Sequence, residues 1–181
     1  MGSVTYVTAA IAHFMVEMAR VWDEHTSALL GRRDLAAASR HLAATPSVLH
    51  MPAMTGAAGP QALERFYAED FLPHLPGDLT LTRISRTVDR FRLVDETTVL
   101  FTHDRTLPWL LPGVGATGRQ AQVLAITIVS LERMRIRSAR VLWDYATLSA
   151  QLGVPDGYWP SSQRPGAMSL RAGAGPQDPG A

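Results

Sequence analysis

The feature that most constrains the fold is a change of period at Pro76-Gly77: before it apolar residues recur every three or four positions, and after it they alternate in twos. Ile11, Phe14, Met15, Met18, Trp22 and Leu29 form one apolar stripe, which predicts an amphipathic helix over residues 9–30. Asp34 is placed to cap a second, shorter helix running to about Ala44, and Pro46 stops it. Residues 48–51 read as a short extended piece ending in a turn at Thr55-Gly56. Gly59-Pro60 then opens a third helix that buries Leu63, Phe66, Tyr67 and Phe71 and ends at Pro73.

Beyond the break, residues 79–87, 91–94, 97–107, 120–131 and 135–145 are rich in β-branched and aromatic side chains, with turn-like residues between them. Helices followed by strands with short links predict an α+β fold with an antiparallel sheet and no βαβ winding. A chain of 181 residues, 46% hydrophobic, can bury one core but not two comfortable ones. Residues 1–160 are therefore expected to form a single domain. From Ser161 onward Gly, Pro, Ala, Ser and Gln dominate, which predicts a disordered tail over 161–181.

Composition removes several function classes. The formal net charge is +1 and only 18% of residues are charged, so a polyanion-binding surface is not advertised and nucleic acid is not an expected partner. Cys and Lys are both absent, which excludes thiolate nucleophiles, Cys-based zinc sites, Schiff bases and a phosphate-cradling P-loop lysine. The six His residues are dispersed and form no metal-binding spacing. No Gly-x-Ser-x-Gly occurs, and the Gly-x-Gly-x-x-Gly spacing of Gly113, Gly115 and Gly118 falls between two predicted strands instead of opening a helix, so neither α/β-hydrolase chemistry nor dinucleotide binding is expected. No cofactor and no metal are expected, and a proton-transfer site built from side chains is the chemistry that remains. His13, Glu17 and Arg20 interrupt the apolar stretch near the start, which reads as neither signal peptide nor membrane span. The expected localisation is cytoplasmic, with no membrane partner.

Several strings carry a resemblance when read in order: His50-Met51-Pro52, Met54-Thr55-Gly56, Ile84-Ser85-Arg86-Thr87-Val88, Val94-Asp95-Glu96 and Phe101-Thr102-His103-Asp104, then Trp109-Leu110-Leu111-Pro112-Gly113-Val114, Thr117-Gly118-Arg119, Trp143-Asp144 and Gln151-Leu152-Gly153. Over roughly residues 10–155 this order resembles the SnoaL-like branch of the nuclear transport factor 2 (NTF2)-like superfamily. The resemblance implies a cone of about three N-terminal helices packed on a strongly curved antiparallel sheet. It also implies a homodimer and a pocket between sheet and helices. Polyketide cyclases, ketosteroid-isomerase-like and epoxide-hydrolase-like enzymes share that fold with proteins that do no chemistry, so the fold does not fix the function. Where related sequences carry His and Glu before the Trp-Asp ending, this chain has Ser138-Ala139-Arg140, which tells against a Glu-based mechanism.

Asp144 is the first candidate for catalysis, because it ends an apolar and basic strand and stands where SnoaL-like cyclases place their acid. A carboxylate in an apolar pocket suits a general acid or base. Its other readings are a buried partner for an Arg or a cap for a final helix over residues 146–152. Alternation puts Arg140 on the same face as Asp144, roughly 13 Å away, so the two can flank one ligand but cannot pair along the strand. His103 and Arg105 share a face with Val99 and Phe101, while Asp104 faces the other way, so either His103 or Asp104 is expected in the pocket. His50, near the mouth of such a cone, is a further catalytic candidate. Tyr67, Trp109, Trp143, Arg105 and Arg140 are candidate substrate-binding residues, the tryptophans by stacking on a planar ring.

These readings together point to a cyclase or isomerase of natural-product biosynthesis, acting without a cofactor on a hydrophobic, polyketide-like small molecule. The competing readings are a binding module without turnover, an epoxide hydrolase, and a pericyclic cyclase on the same fold.

Overall fold

In the computed structural model, which describes residues 2–155 and 158, the N-terminal apolar stripe becomes α1 (Gly2–Thr26) and widens into a π-helical stretch over Ser27–Gly31. The stripe packs only from Met18 onward, through Val21, Trp22 and Leu29, whereas Ile11 and Phe14 are exposed. The second helix, α2 (Leu35–Ser39), is capped as expected, with the Asp34 carboxylate accepting from the Ala37 N–H at 2.9 Å.

α2 is shorter than the sequence suggests. Residues after it form β1 (Leu42–Met51), so the segment before Pro46 is strand, not helix. A register shift between Leu42 and Ser47 accommodates the proline, and its carbonyl accepts from the Gly59 N–H at 2.8 Å. The expected turn at Thr55-Gly56 is instead a hairpin strand, β2 (Thr55–Ala58), paired with β1. Gly56 is required there: its φ is +137° and an added Cβ would lie 2.1 Å from the Val48 carbonyl oxygen. The third helix is α3 (Pro60–Arg65), continued by a π-helical stretch over Phe66–Phe71 and a 3₁₀ turn at Leu72–His74.

The remaining strands are β3 (Thr80–Val88), β4 (Arg92–Thr102), β5 (Gln120–Glu132) and β6 (Arg135–Trp143), followed by α4 (Tyr145–Leu152). The two strands expected at 91–94 and 97–107 are one: β4 runs unbroken through Asp95-Glu96 and ends at Thr102. The sheet order is β2-β1-β6-β5-β4-β3, and β1 pairs with β6 in parallel. The expectation of a purely antiparallel sheet is therefore corrected to a mixed one. β6 returns beside β1 only after α3 and four other strands, and a connection that long lets neighbouring strands run the same way. The helix count also departs from the expectation: among the described residues there are four α-helices, with β1 and β2 between α2 and α3.

The α+β fold is thus a curved, open six-stranded sheet with helices on its concave face. Register shifts in β1, β3 and β5 bend the strands. Along β4 burial alternates strictly, with Leu93, Asp95, Thr97, Val99 and Phe101 inward. α1 crosses this inner face near β3 and β6, and α3 lies against β1 and β2. No helix among the described residues is long and apolar enough to cross a membrane. The tail expected to be disordered, 161–181, lies outside the described residues.

Candidate functional site

Between α1, the Phe66–Phe71 stretch and the concave sheet face lies a cavity of about 260 Å³. Register explains its chemistry. Asp95 on β4 pairs with Thr127 on β5, Thr127 with Val141 on β6, and Val141 with His50 on β1. These four residues lie in one transverse row, and all four line the cavity. Arg86 on β3 and Thr55 on β2 extend the row to both edges of the sheet. Three strand spacings separate Asp95 from His50, so their backbones lie about 14 Å apart along the sheet. The adjacent row, Leu93, Val129, Ala139 and Val48, is wholly apolar and buried.

At the β4 end the cavity is polar. The Asp95 carboxylate accepts from Arg86 Nε at 2.6 Å and from Arg86 Nη2 at 2.7 Å, and the Trp22 indole N–H donates to it at 3.0 Å. The Arg86 guanidinium also reaches Asp23, at 2.7 Å and 3.0 Å, and Arg83 joins Asp23 at 3.0 Å. Burial disfavours the charge on Arg86, but its bonds to Asp95 and Asp23 outweigh that and raise its pKa. Burial likewise acts against Asp23, yet Arg86 and Arg83 hold its carboxyl below the usual range. Asp23, Arg83 and Leu81 are about half exposed and mark the opening.

His25 lies beside this cluster, stacked on Trp22 with ring centroids 5.5 Å apart. Its Nδ1 is 3.0 Å from the Ala38 carbonyl, which can only accept, so Nδ1 carries the proton and Nε2 keeps a lone pair. Burial brings its pKa down to about 4, against the opposing effect of that hydrogen bond.

At the β1 end the cavity is aromatic. His50 is 4% exposed and sits among Trp109, Phe71, Phe66 and Trp143, with ring centroids 5.2, 5.6, 6.1 and 6.3 Å away. Burial alone lowers its pKa to about 3, so the imidazole is neutral. Tyr67 lines the same end, and burial pushes its phenol pKa up. The Thr55 hydroxyl donates to the Trp109 carbonyl and ties that loop to β2.

Of the residues singled out from sequence, His50, Tyr67, Trp109 and Trp143 come together around the cavity. The others do not. Asp144 is exposed and caps α4, accepting from the Thr147 N–H at 3.1 Å, which also lowers its pKa. It takes the capping role because β6 ends one residue earlier, at Trp143. Arg140 lies on the face of β6 opposite Ala139, Val141 and Trp143. The expected choice between His103 and Asp104 needs correction, because neither lines the cavity: β4 ends at Thr102 and strand alternation no longer aims them. His103 is buried, with Nδ1 3.1 Å from the Thr117 hydroxyl, and Asp104 pairs with Arg105 at 2.8 Å on the surface.

Asp95, Arg86, Trp22, Asp23 and His25 were not singled out from sequence. The signal for Asp95 was present, since continuing the Val99–Phe101 alternation backwards puts Thr97 and Asp95 on the same face. Reading Asp95-Glu96 as a turn concealed it.

No protein-family model matches the sequence, and no curated protein matches it either. In three dimensions the chain is similar to a protein of Jannaschia sp. CCS1 named for the SnoaL-like polyketide cyclases, with a TM-score of 0.66 at 14% identity over 78% of this chain and 95% of that one. It is also similar to an NTF2-like protein of unknown function from Burkholderia pseudomallei K96243, with a TM-score of 0.59 at 18% identity over 75% and 97%. A third likeness is to AclR of Streptomyces galilaeus, assigned as a hydroxylase, with a TM-score of 0.59 at 20% identity over 78% and 99%. The fold is therefore the SnoaL-like, NTF2-like one expected from the sequence.

Proposed function

We propose that the protein encloses a small, ring-containing, largely apolar molecule and moves protons on it with its own side chains, as a cyclase or isomerase of polyketide-like compounds. The observation that carries this reading is the Asp95 carboxylate, set in the polar row of an otherwise largely apolar cavity. An ionised carboxylate has about four acceptor positions. Arg86 and Trp22 occupy three of those on Asp95. One is left to take a proton from a bound molecule and return it. His25 Nε2, with its lone pair, is a second proton acceptor at the same end, and Trp109, Trp143 and Phe71 supply ring faces for stacking.

In this reading Asp95 takes the acid–base role first expected of Asp144. Positioned acid–base groups contribute about 10² to 10⁴ in rate. Asp95→Asn keeps the shape and one acceptor oxygen but removes the charge facing Arg86, so it is expected to lower the melting temperature while the protein still folds and, assayed below that temperature, to cut turnover at least about 100-fold. Asp144→Asn is expected to leave turnover near wild type. The assay follows masses after incubation with metabolite extract of the source organism lacking this chain. A product of unchanged mass supports an isomerase or cyclase. Gain of one water favours epoxide opening or hydration. Retention without conversion in the wild type means a binding module and ends the acid–base assignment.

A further inference from the structure

Two N–H groups at the aromatic end of the cavity have no acceptor among the described residues. Trp143 Nε1 lies 3.3 Å from His50 Nδ1. An indole nitrogen only donates, so His50 Nδ1 must accept and the imidazole proton sits on Nε2. His50 Nε2 is buried and has no hydrogen-bond partner among the described residues, and the same holds for Trp109 Nε1. The two rings are 5.2 Å apart, and both residues line the cavity. A buried donor left unpaired costs about 1–3 kcal/mol, so each is a standing cost that an acceptor on a bound molecule would offset.

The surroundings define that acceptor. Both donors are neutral, His50 flanked by Phe66 and Phe71 and Trp109 by Phe71, while the cations Arg83 and Arg86 are engaged with Asp23 and Asp95 at the other end of the row. A carboxylate or phosphate bound among these rings would be buried without a countercharge. A carbonyl oxygen has two lone pairs, enough for both N–H groups, and carries no net charge. We propose that His50 Nε2–H and Trp109 Nε1–H together bind one carbonyl oxygen of the ligand, with Trp143 as the positioning residue that holds His50 in its donating tautomer.

This rests on the cavity being the ligand site and adds which atom of the ligand is held, and by what. The orientation follows: a ligand anchored by its carbonyl at the β1 end presents its ring carbons towards Asp95 along the row. Neutral N–H donors aimed at a carbonyl also stabilise negative charge that develops on its oxygen.

The probes are acetylnaphthalene and ethylnaphthalene, which share a ring and differ by one carbonyl. Acetylnaphthalene should bind the full-length protein about tenfold more tightly, with its carbonyl stretch moved to lower frequency in the infrared. His50→Phe and Trp109→Phe should each remove most of that preference and of that shift, while ethylnaphthalene binding persists. Trp143→Phe should weaken the carbonyl shift although it contributes no donor to the ligand, an effect that a packing role alone would not produce. Asp144→Asn, on the surface outside the cavity, should leave both readouts unchanged. Equal affinity for the two probes, or an unshifted carbonyl, overturns the inference alone. Failure of both to bind overturns it together with the cavity reading beneath it.

Discussion

His50 and His25 are both held neutral by burial, at pKa values of about 3 and about 4. On unfolding, both return to the ordinary value near 6.5. Between about pH 4 and 6.5 the unfolded chain therefore binds up to two more protons than the native one. Stability is fully present above that window and falls as pH drops through it, by about 1.4 kcal/mol per pH unit for each proton. His103 is shifted in the same direction by burial, and Asp23 is held below the usual carboxylate range, so it adds its own loss only at lower pH. His50→Phe removes one of three buried imidazoles that burial shifts down. Urea unfolding between about pH 4.5 and 6 should then show a shallower dependence of stability on pH than the wild type. An unchanged slope would mean that His50 is not a buried neutral group. At this scale the sequence showed the residue type but not its state: His50 was recognisable as a proton carrier, whereas its neutrality comes from four aromatic rings that arrive from three other parts of the chain.

Among elements, the contact that fixes α1 over the sheet is the bridge from Asp23 through Arg86 to Asp95, joining α1, β3 and β4. Arg86 and Asp95 are nearly closed to solvent, with 13% and 8% of their side chains exposed. Removing one partner of such a pair leaves an uncompensated charge, which costs about 3–5 kcal/mol when fully buried. Asp23 is half exposed and supplies less, so Arg86→Met is expected to cost about 3 kcal/mol in urea unfolding. Arg86→Lys should recover only part of it, because a lysine ammonium cannot reproduce the two-pronged Nε and Nη2 contact. A loss no larger for Arg86→Met than for Arg83→Met, on the exposed side, would count against the bridge as the element that docks α1. The elements themselves were largely readable, since α1, α3 and β5 each carry a clear period and β3 and β6 are rich in strand-forming residues. What escaped was β1 and the continuity of β4, both hidden by residues that usually break elements. Pro46 sits in a strand because a register shift relieves it, and Asp95-Glu96 stays in one because Arg86 and Ser85 on β3 bind the two carboxylates.

Across the whole molecule, curvature creates a concave face where an apolar row carries the packing and a polar row carries the site. Which face would be concave was not readable, because both faces of β6 carry basic and apolar residues and the bending comes from register shifts that no single residue announces. The separation of the two rows makes the site removable without loss of the fold. Val141 stands in the middle of the polar row, partly buried, lining the cavity between Thr127 and His50. A larger apolar side chain there enters space that the fold leaves empty, adding buried area without breaking a hydrogen bond. Val141→Phe is therefore expected to keep the circular dichroism spectrum and hold or raise the melting temperature, while abolishing acetylnaphthalene binding and turnover together. Stability gained as function is lost is the usual sign of a cavity kept open for a ligand. If the variant were as stable as wild type and still turned over its substrate, the reaction would have to lie elsewhere, and the row from Asp95 to His50 would be packing alone.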